Sequence, residues 1–377
     1  MLSEMEADGH LRRGWTTGAC ATAAAKAAYV ALLTGTFPDP IEIRLPRGER
    51  PSFALAQAVL EPDAAIASIV KDAGDDPDVT HGALISARVR LGASGSGIVF
   101  KAGAGVGTVT RPGLALAVGE PAINLVPRQM MRAEIETIAK THGARQDAII
   151  EISVENGEVL AKRTLNGRLG ILGGLSILGT TGIVIPYSCS AWIASIHRGI
   201  DVAIATGVEQ IAGATGKTSE AAVSARYDLP ETALIDMGDF VGGMLKYLRT
   251  HPVPRLSIAG GVAKMTKLAQ GRLDLHSARG SADFDALAKL AAQEGADARV
   301  QTLIRQANTV AQAFEDAAGA GIVLGDQVAR HAWHSAAALL EGTRIALEIL
   351  VYDRNGALVG DSTGFHLPHA PPPLNLR

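Results

Sequence analysis

The sequence predicts an α+β N-terminal domain with a mixed sheet, followed by an α/β Rossmann-like domain with a parallel sheet. Its 377 residues suggest two domains, since one domain spans roughly 100–200 residues. Residues 1–165 consist mainly of short strand-like segments, whereas residues 166–342 repeat a strand, a glycine-containing turn and a helix. That repeat is typical of a parallel α/β sheet. The hairpin-like segment 343–361 resembles the first domain, and we expect it to pack back on that domain.

Local signals define the elements of the first domain. An Ala-rich helix begins at Thr16 or Thr17, either of which can cap it, and ends at Gly35. A second helix is expected from about Pro127 to Gly143. An Asn-Gly pair at 156–157 suits a type I′ turn, so residues 148–166 are predicted to form a hairpin. Further strands are predicted at 41–46, 52–60, 66–72 and 83–91.

In the second domain, strands are predicted at 201–207, 233–239 and 255–261, with helices between them and two or three more helices in 282–344. Each strand ends in small or acidic residues. Because ligands of parallel α/β sheets bind at the carboxyl ends of the strands, these ends are candidate ligand-binding positions. They comprise Thr206, Gly207, Gly238, Asp239, Gly260 and Gly261.

Composition excludes several classes of protein. Hydrophobic residues make up 47% of the chain, which is enough for packed cores and excludes wholesale disorder. The 35 Lys and Arg nearly balance the 38 Asp and Glu, so the net charge of −3 argues against a nucleic-acid partner bound by bulk electrostatics. We find no transmembrane segment and no secretory signal, and therefore expect no membrane partner. Two cysteines cannot form a disulfide framework, which favours a cytoplasmic location.

A glycine-rich stretch at 167–186 is the densest local signal. Glycines let backbone N–H groups approach a ligand closely, but the stretch would equally serve as a connector, and both interpretations stay open. The chain has no nicotinamide-type G-x-G-x-x-G in a strand–turn–helix setting; the nearest match, at 103–107, lies between strand-like segments.

The segment 212–220, AGATGKTSE, superficially resembles a phosphate-binding loop. It lacks the first glycine of that motif, since Ile211 stands there, and it is predicted to follow a helical stretch. A helix start capped by Thr218 or Ser219, with Glu220 in the first turn, is the favoured interpretation.

An acidic loop at 71–81 contains Asp72, Asp75, Asp76, Asp78 and His81. Clustered carboxylates repel one another, so some are expected to have raised pKa values suited to proton transfer. The spacing does not match an EF-hand, and no metal site is predicted. On spacing alone, an Asp-rich turn held by its own hydrogen bonds is favoured over a functional site.

Arg111, Arg128 and Arg132 flank a loop at 111–128, where they would be able to clamp carboxylates. Taken singly, each is more typical of a surface charge. His331 and His334 have one-turn helix spacing and are interpreted as structural.

The motifs together resemble the CbiD family, the cobalt-precorrin-5B C1-methyltransferases of cobalamin biosynthesis. The tail beyond about residue 280 matches more loosely. The matching motifs are RRGWTTGACATAAAKAA (12–28), VKDAGDDPDVTHG (70–82), GAGVGTVTRPGL (103–114), VGEPAINLVPRQMM (118–131), GRLGILGGLSILGTTGIV (167–184), TGKTSE (215–220), IDMGDFVGG (235–243) and IAGGVAKMTKLA (258–269).

The resemblance implies a CbiD-like two-domain fold, with an S-adenosylmethionine-binding domain at 166–342. It implies methyl transfer from S-adenosyl-L-methionine to C-1 of cobalt-precorrin-5B, a small-molecule tetrapyrrole, giving cobalt-precorrin-6A. The resemblance does not decide whether the chain forms a homo-oligomer. The implied cofactor-binding residues are Gly179, Thr180, Thr181, Gly182, Thr206, Gly207, Asp236, Gly238, Asp239, Gly260 and Gly261.

Two further sets of residues are assigned to the tetrapyrrole. Asp75, Asp76 and His81 are candidate catalytic residues for managing ring protons. Two other functions stay open: an NAD(P)-dependent reductase and a non-catalytic tetrapyrrole carrier. The candidate substrate-binding residues are Thr16, Thr17, Arg111, Glu120, Asn124 and Arg128.

Overall fold

The computed structural model describes residues 11–277 and 280–372. The chain divides into two compact units, Met1–Ser188 and Cys189–Arg377. The predicted mixture of α and β elements is confirmed, but the predicted boundary between residues 165 and 166 is wrong. The segment 166–186 belongs to the first unit, because two short antiparallel strand pairs join it to earlier parts of that unit.

The first unit is built from short strands and an Ala-rich helix that packs on them. Its strands are β1 (Gly14–Trp15), β2 (Ile41–Glu42), β3 (Ser52–Phe53), β4 (Gln57–Leu60), β5 (Ala65–Val70), β6 (Leu84–Leu91), β7 (Ile98–Ala102), β8 (Thr108–Val109), β9 (Ala148–Val154), β10 (Ile171–Leu172) and β11 (Ile183–Val184). Its helices are α1 (Thr17–Thr34), α2 (Leu125–His142) and α3 (Gly157–Ala161).

The main sheet of this unit has the order β4-β5-β6-β9-β7, and its neighbours are antiparallel except β7 and β9. Helix α1 lies on β5 and β6 and packs against α2. The α1 prediction is confirmed: the Thr16 hydroxyl accepts a hydrogen bond from the Ala19 N–H, and Gly35, at φ 75°, ends the helix. Small side chains on α1 allow this close packing on the sheet.

The predicted hairpin at 148–166 is wrong. Strand β9 already has β6 on one side and β7 on the other, so no sheet edge remains for a hairpin partner. The chain turns at Asn156, with φ 56°, and enters α3 instead. Gly157 lies directly on the backbone of Gly105, and a Cβ at Gly157 would be 2.2 Å from the Gly105 carbonyl oxygen.

The second unit contains a largely parallel sheet flanked by helices. Its strands are β12 (Gln210–Ala214), β13 (Leu234–Asp236), β14 (Arg255–Gly261), β15 (Ala346–Tyr352) and β16 (Leu358–Asp361). Its helices are α4 (Cys189–Ala205), α5 (Lys217–Tyr227), α6 (Val241–Leu248), α7 (Val262–Ala269), α8 (Phe284–Gln293), α9 (Ala298–Gln306), α10 (Val310–Gly319) and α11 (Leu324–Leu339).

The sheet order is β13-β12-β14-β15-β16, parallel as far as β15, with β16 antiparallel at the edge. The C-terminal hairpin is confirmed as β15 and β16, but its predicted packing on the first domain is wrong. Strand β15 pairs with β14 along seven residues, and its residues from Leu347 to Tyr352 are all buried. A strand buried on both faces fits the interior of a parallel sheet.

The strand predicted at 201–207 is also wrong. The segment continues α4, because its apolar residues Ile196, Ile200 and Ala203 recur at helical spacing and are buried together. Gly207, with φ 75°, ends this helix, and the strand begins only at Gln210.

A series of side-chain hydrogen bonds connects strands β12, β14 and β15 of the second unit with helix α5. The Gln210 side chain donates to the Ser257 hydroxyl at 3.1 Å, and that hydroxyl donates to Glu348 at 2.6 Å. The Tyr227 hydroxyl of α5 donates to the other Glu348 oxygen at 2.7 Å. Burial raises the pKa of Glu348, although these hydrogen bonds oppose the shift.

The Gly157→Ala variant should destabilise the first unit by about 1–3 kcal/mol, because the new methyl group collides with the Gly105 backbone. Urea unfolding measures the change. Gly167→Ala is the matched control, since a Cβ there meets nothing within 4 Å. Equal unfolding midpoints for the two variants would contradict the close packing.

The Glu348→Gln variant should gain stability relative to the wild type as the pH rises. A raised pKa means that the folded state favours the protonated acid, so its contribution is present at low pH and is lost as the pH rises through the folded-state pKa. Urea unfolding at pH 5 and pH 8 tests this, with the exposed Glu341→Gln as control. A stability gap that does not grow with pH would refute it.

Candidate active site

A cavity of about 780 Å³ lies in the second unit, at the carboxyl ends of β12, β14 and β15. Residues 215–219 follow β12, residues 261–264 begin at the last residue of β14, and residues 352–355 begin at the last residue of β15; all of them line the cavity. From β12 the chain proceeds to β13 on one side, whereas from β14 it proceeds to β15 on the other. Such a reversal opens a crevice between the two loops, which is the usual ligand site of α/β sheets.

One wall of the cavity is apolar. It is formed by α10 and by the start of α11 with the turn before it. Apolar walls of this kind suit the flat, uncharged part of a small ligand. The wall residues include Ala311, Phe314, Ala318, Ile322, Val323 and Leu324.

The opposite side of the cavity is electropositive. Helices α5 and α7 both begin at this side of the cavity, and their first N–H groups have no acceptor within the helix. Gly216 precedes α5 and Gly261 precedes α7, and a Cβ at either glycine would meet nothing within 4 Å. Both helix starts are therefore open to a ligand that carries negative charge.

Lys264 links neighbouring strand ends. Its Nζ donates to the Thr215 carbonyl oxygen at 2.7 Å and lies 3.1 Å from Asp239 Oδ1. Asp239 follows β13, so this lysine ties the loop after β14 to the loops after β12 and β13. Asp239 thereby positions a cavity-lining residue without lining the cavity itself.

Of the other strand-end residues that were predicted to bind the cofactor, only Gly261 is part of the cavity lining. Gly260 is packed, because a Cβ there would be 2.5 Å from Met265 Cε. Asp236 and Gly238 lie by Trp192, whose Nε1 donates to the Asp236 carbonyl oxygen at 3.1 Å.

The assignment of Thr206 and Gly207 to a carboxyl-end site is wrong. They follow helix α4 and precede the first residue of β12, so they lie at the opposite edge of the sheet. The Thr206 hydroxyl donates to the Val202 carbonyl oxygen at 2.7 Å within its own helix end.

Gly179, Thr180, Thr181 and Gly182 belong to the first unit, whereas the 780 Å³ cavity belongs to the second. Their loop lies over the start of α1. The Thr16 N–H donates to the Gly182 carbonyl oxygen at 3.0 Å, and a Cβ at Gly179 would be 2.3 Å from Thr16 Oγ1.

The adjoining residues complete this contact with α1. The Leu178 N–H donates to Thr17 Oγ1 at 2.9 Å. Elsewhere in the glycine-rich stretch, a Cβ at Gly174 would be 2.2 Å from the Gly105 carbonyl oxygen, and one at Gly170 would collide with Arg111. Close packing therefore accounts for these glycines, which favours the structural interpretation.

The expected rise in the pKa values of the acidic loop is wrong for Asp72 and Asp78. The hydrogen bond from Arg12 lowers the pKa of Asp72 to about 2. Burial would raise the pKa of Asp78, but Lys71 Nζ at 2.7 Å and hydrogen bonds from Thr80 outweigh it and lower that pKa. Cationic partners, which the spacing did not reveal, offset the repulsion between carboxylates.

The three candidate catalytic residues also have structural partners. Asp75 accepts a hydrogen bond from the Arg12 N–H at 2.5 Å, and Asp76 accepts one from the Tyr187 N–H at 2.9 Å. His81 Nδ1 accepts from the Ala73 N–H at 3.1 Å, which requires that this ring nitrogen carry no proton. These contacts hold the acidic loop against its neighbours, and a role in proton transfer stays a prediction.

Among the predicted substrate residues, Arg128 is largely buried. It donates to the carbonyl oxygens of Ile123 at 2.7 Å and Pro121 at 3.1 Å, and it lies 3.3 Å from Glu120. Its guanidinium thus stabilises the conformation of the loop before α2. Asn124 precedes α2 but makes no side-chain cap.

The structure identifies cavity residues that the sequence did not. Lys217, Lys264, Arg354 and the α10 wall were absent from the predicted site. The sequence signal that could have indicated this cavity was the TGKTSE segment (215–220), which follows strand β12 directly and begins helix α5. Capping by Thr218 or Ser219 is wrong, because both lie inside the first turn after Gly216.

Metal and membrane features were searched in residues 11–277 and 280–372. No group of three or more His, Cys, Asp or Glu residues in these ranges is arranged to hold a metal ion. Within the same ranges, no helix has both the length and the apolar character needed to cross a membrane.

The fold and the cavity define an α/β protein with a candidate small-molecule site at the carboxyl ends of the strands of a parallel sheet. Residues 4–186 match the family described as CbiD, and residues 274–363 match "CbiD, C-terminal domain". The chain is 63% identical over 373 residues to the "Cobalt-precorrin-5B C(1)-methyltransferase" of Agrobacterium fabrum (strain C58), an alignment covering 99% of this chain and 98% of that relative.

A relative of the same name from Bradyrhizobium sp. (strain BTAi1) is 58% identical over 367 residues, with 97% of each chain covered. A solved cobalamin biosynthesis protein (cbiD) from Archaeoglobus fulgidus is 28% identical, with a TM-score of 0.39, and the match covers 68% of this chain and 78% of that one. The chain belongs to the CbiD family, which confirms the resemblance seen in its motifs.

The Asp78→Asn variant should destabilise the protein by about 3–5 kcal/mol at neutral pH, because it leaves the buried Lys71 ammonium without its counter-charge. Urea unfolding measures the loss. Asp75→Asn is the matched control, since Asp75 is exposed and an amide oxygen can still accept the Arg12 N–H. Similar stability of the two variants would disprove a structural role for the Lys71–Asp78 pair.

Proposed function

We propose that this chain methylates C1 of cobalt-precorrin-5B to give cobalt-precorrin-6A in cobalamin biosynthesis, with S-adenosyl-L-methionine as the methyl donor. Near full-length identity to relatives that carry the corresponding name supports the reaction. We expect the reaction to take place in the cytoplasm, as for a biosynthetic enzyme with a small-molecule tetrapyrrole substrate.

The observation that carries the donor site is the cavity at the reversal between β12 and β14. Its volume lies within the roughly 300–1,000 Å³ of small-molecule sites. The apolar wall at Phe314 and Val323 suits an adenine ring, and the open helix starts at Gly216 and Gly261 suit the polar end of the donor. In this proposal the second unit is a Rossmann-like donor-binding domain.

The residues of the chain act chiefly by binding and orienting. The donor, when bound, supplies an electrophilic methyl group on a positively charged sulfur. The cavity walls hold it in one orientation and limit its contact with water, and Lys264 stiffens the loops around it through Thr215 and Asp239. Alignment with the ring carbon supplies part of the roughly 7–11 kcal/mol available from ideal positioning.

The tetrapyrrole carries acetate and propionate groups. We propose that it binds to the first unit. Thr16, Thr17, Arg111, Glu120 and Asn124 remain candidates there. Arg128 is a weaker candidate, because backbone carbonyls and Glu120 already occupy its guanidinium.

Asp75, Asp76 and His81 remain candidates for proton handling. The His81 side chain is 54% exposed, which leaves its ring accessible. Asp76 Oδ1 and Asp75 Oδ2 already accept backbone N–H groups, so any proton transfer would use the remaining oxygens.

Calorimetry with S-adenosylhomocysteine, followed by turnover of cobalt-precorrin-5B with labelled donor, tests the function. We expect saturable binding, a labelled tetrapyrrole and one S-adenosylhomocysteine released per methyl group. Binding of NAD(P)H without S-adenosylhomocysteine binding would favour a reductase. Tetrapyrrole binding without release of S-adenosylhomocysteine would favour a carrier.

The Ala318→Phe variant should weaken S-adenosylhomocysteine binding by about tenfold or more, or ~1.4 kcal/mol, because Ala318 is an exposed residue of the cavity wall and a phenyl ring would fill the space. Ala292→Phe is the control, at an exposed position on α8 outside the cavity lining. Equal affinities of the two variants would place the donor outside this cavity.

A further inference from the structure

Lys217 differs from the other lysine of the cavity. Lys264 is held by the Thr215 carbonyl and by Asp239, so its charge is already compensated. Lys217 is the first residue of α5, is exposed, and lines the cavity. In residues 11–277 and 280–372, its ammonium group has neither a hydrogen bond nor an ion pair.

The backbone around Lys217 is also unsatisfied on the cavity side. The Glu220 N–H closes the first turn onto the Gly216 carbonyl oxygen at 3.0 Å, and the Ser219 hydroxyl donates to the same oxygen at 2.9 Å. The N–H groups of Lys217, Thr218 and Ser219 precede that first helical bond and have no acceptor within the helix. The approach to them past Gly216 is open.

The distribution of charge around the cavity favours one orientation of the proposed methyl donor. The donor has an uncharged adenosine end and an amino-acid end that carries a carboxylate. The apolar wall on α10 and α11 offers no partner for a carboxylate, whereas Lys217 and the start of α5 offer a cation and N–H donors. The positively charged sulfur is repelled by the helix starts, and the cavity-lining acid Glu315 provides charge of the opposite sign.

We infer that Lys217, together with the first-turn N–H groups of α5, binds the α-carboxylate of the methyl donor and so sets its orientation in the cavity. The inference rests on the proposed function. It makes Lys217 a specificity-determining residue that distinguishes adenosyl compounds with an amino-acid chain from those without one.

Two ligands separate this role from a general effect on the cavity. S-adenosylhomocysteine carries the carboxylate, whereas 5′-methylthioadenosine has the same nucleoside and sulfur without it. Calorimetry with both ligands compares the wild type with Lys217→Gln, and Lys246→Gln is the control at an exposed lysine on α6 outside the cavity lining. Circular dichroism confirms that each variant is folded.

Lys217→Gln should weaken S-adenosylhomocysteine binding by about tenfold or more, as expected for the loss of a charge-assisted hydrogen bond, and should leave 5′-methylthioadenosine binding unchanged. Lys246→Gln should change neither. Unchanged S-adenosylhomocysteine binding, or an equal loss for both ligands, would overturn the carboxylate assignment while leaving the donor cavity intact. Failure of the wild type to bind either ligand would overturn the donor cavity as well.

Discussion

The reversal of strand order between β12 and β14 is the constraint on which the candidate site depends. Strands β12 and β14 are neighbours, but the connection after β12 leads to β13 on one side and the connection after β14 leads to β15 on the other. The loops after β12 and β14 therefore diverge. The divergence leaves a crevice where α5 and α7 both begin. A sheet that added its strands in one direction would instead close each strand end with the helix that follows it.

The same topology concentrates charge. The starts of α5 and α7 meet at one side of the cavity, and Lys217 and Arg354 add cations to its lining. Asp239 neutralises Lys264 and ties it to the neighbouring loop, so the acid that the sequence suggested as a ligand contact has a supporting role. The division between an apolar wall and an electropositive edge is the main physical argument for the orientation of a donor molecule.

The first unit shows why abundant glycine is an ambiguous signal. Gly105, Gly157 and Gly174 bring three backbone segments into direct contact, and Gly179 and Gly182 lie on residues near α1 and β2. Glycines selected for close packing and glycines that approach a ligand have the same sequence signature. The acidic loop is similar: its spacing suggested carboxylates with raised pKa values. In the fold, Arg12 from outside the loop lowers the pKa of Asp72, and Lys71 at the start of the loop lowers the pKa of Asp78.

The sequence alone determined the elements whose signals are local: α1 with its Thr16 cap and Gly35 end, α5, α6, the hairpin of β15 and β16, and the family to which the motifs belong. Only the tertiary structure decided which elements become neighbours. It placed β15 beside β14, left no sheet edge for a hairpin at 156–157, and moved Thr206 and Gly207 to the far edge of the sheet. The reason is physical: a cap or a turn depends on a few adjacent residues, whereas strand order and burial depend on contacts between residues far apart in the chain.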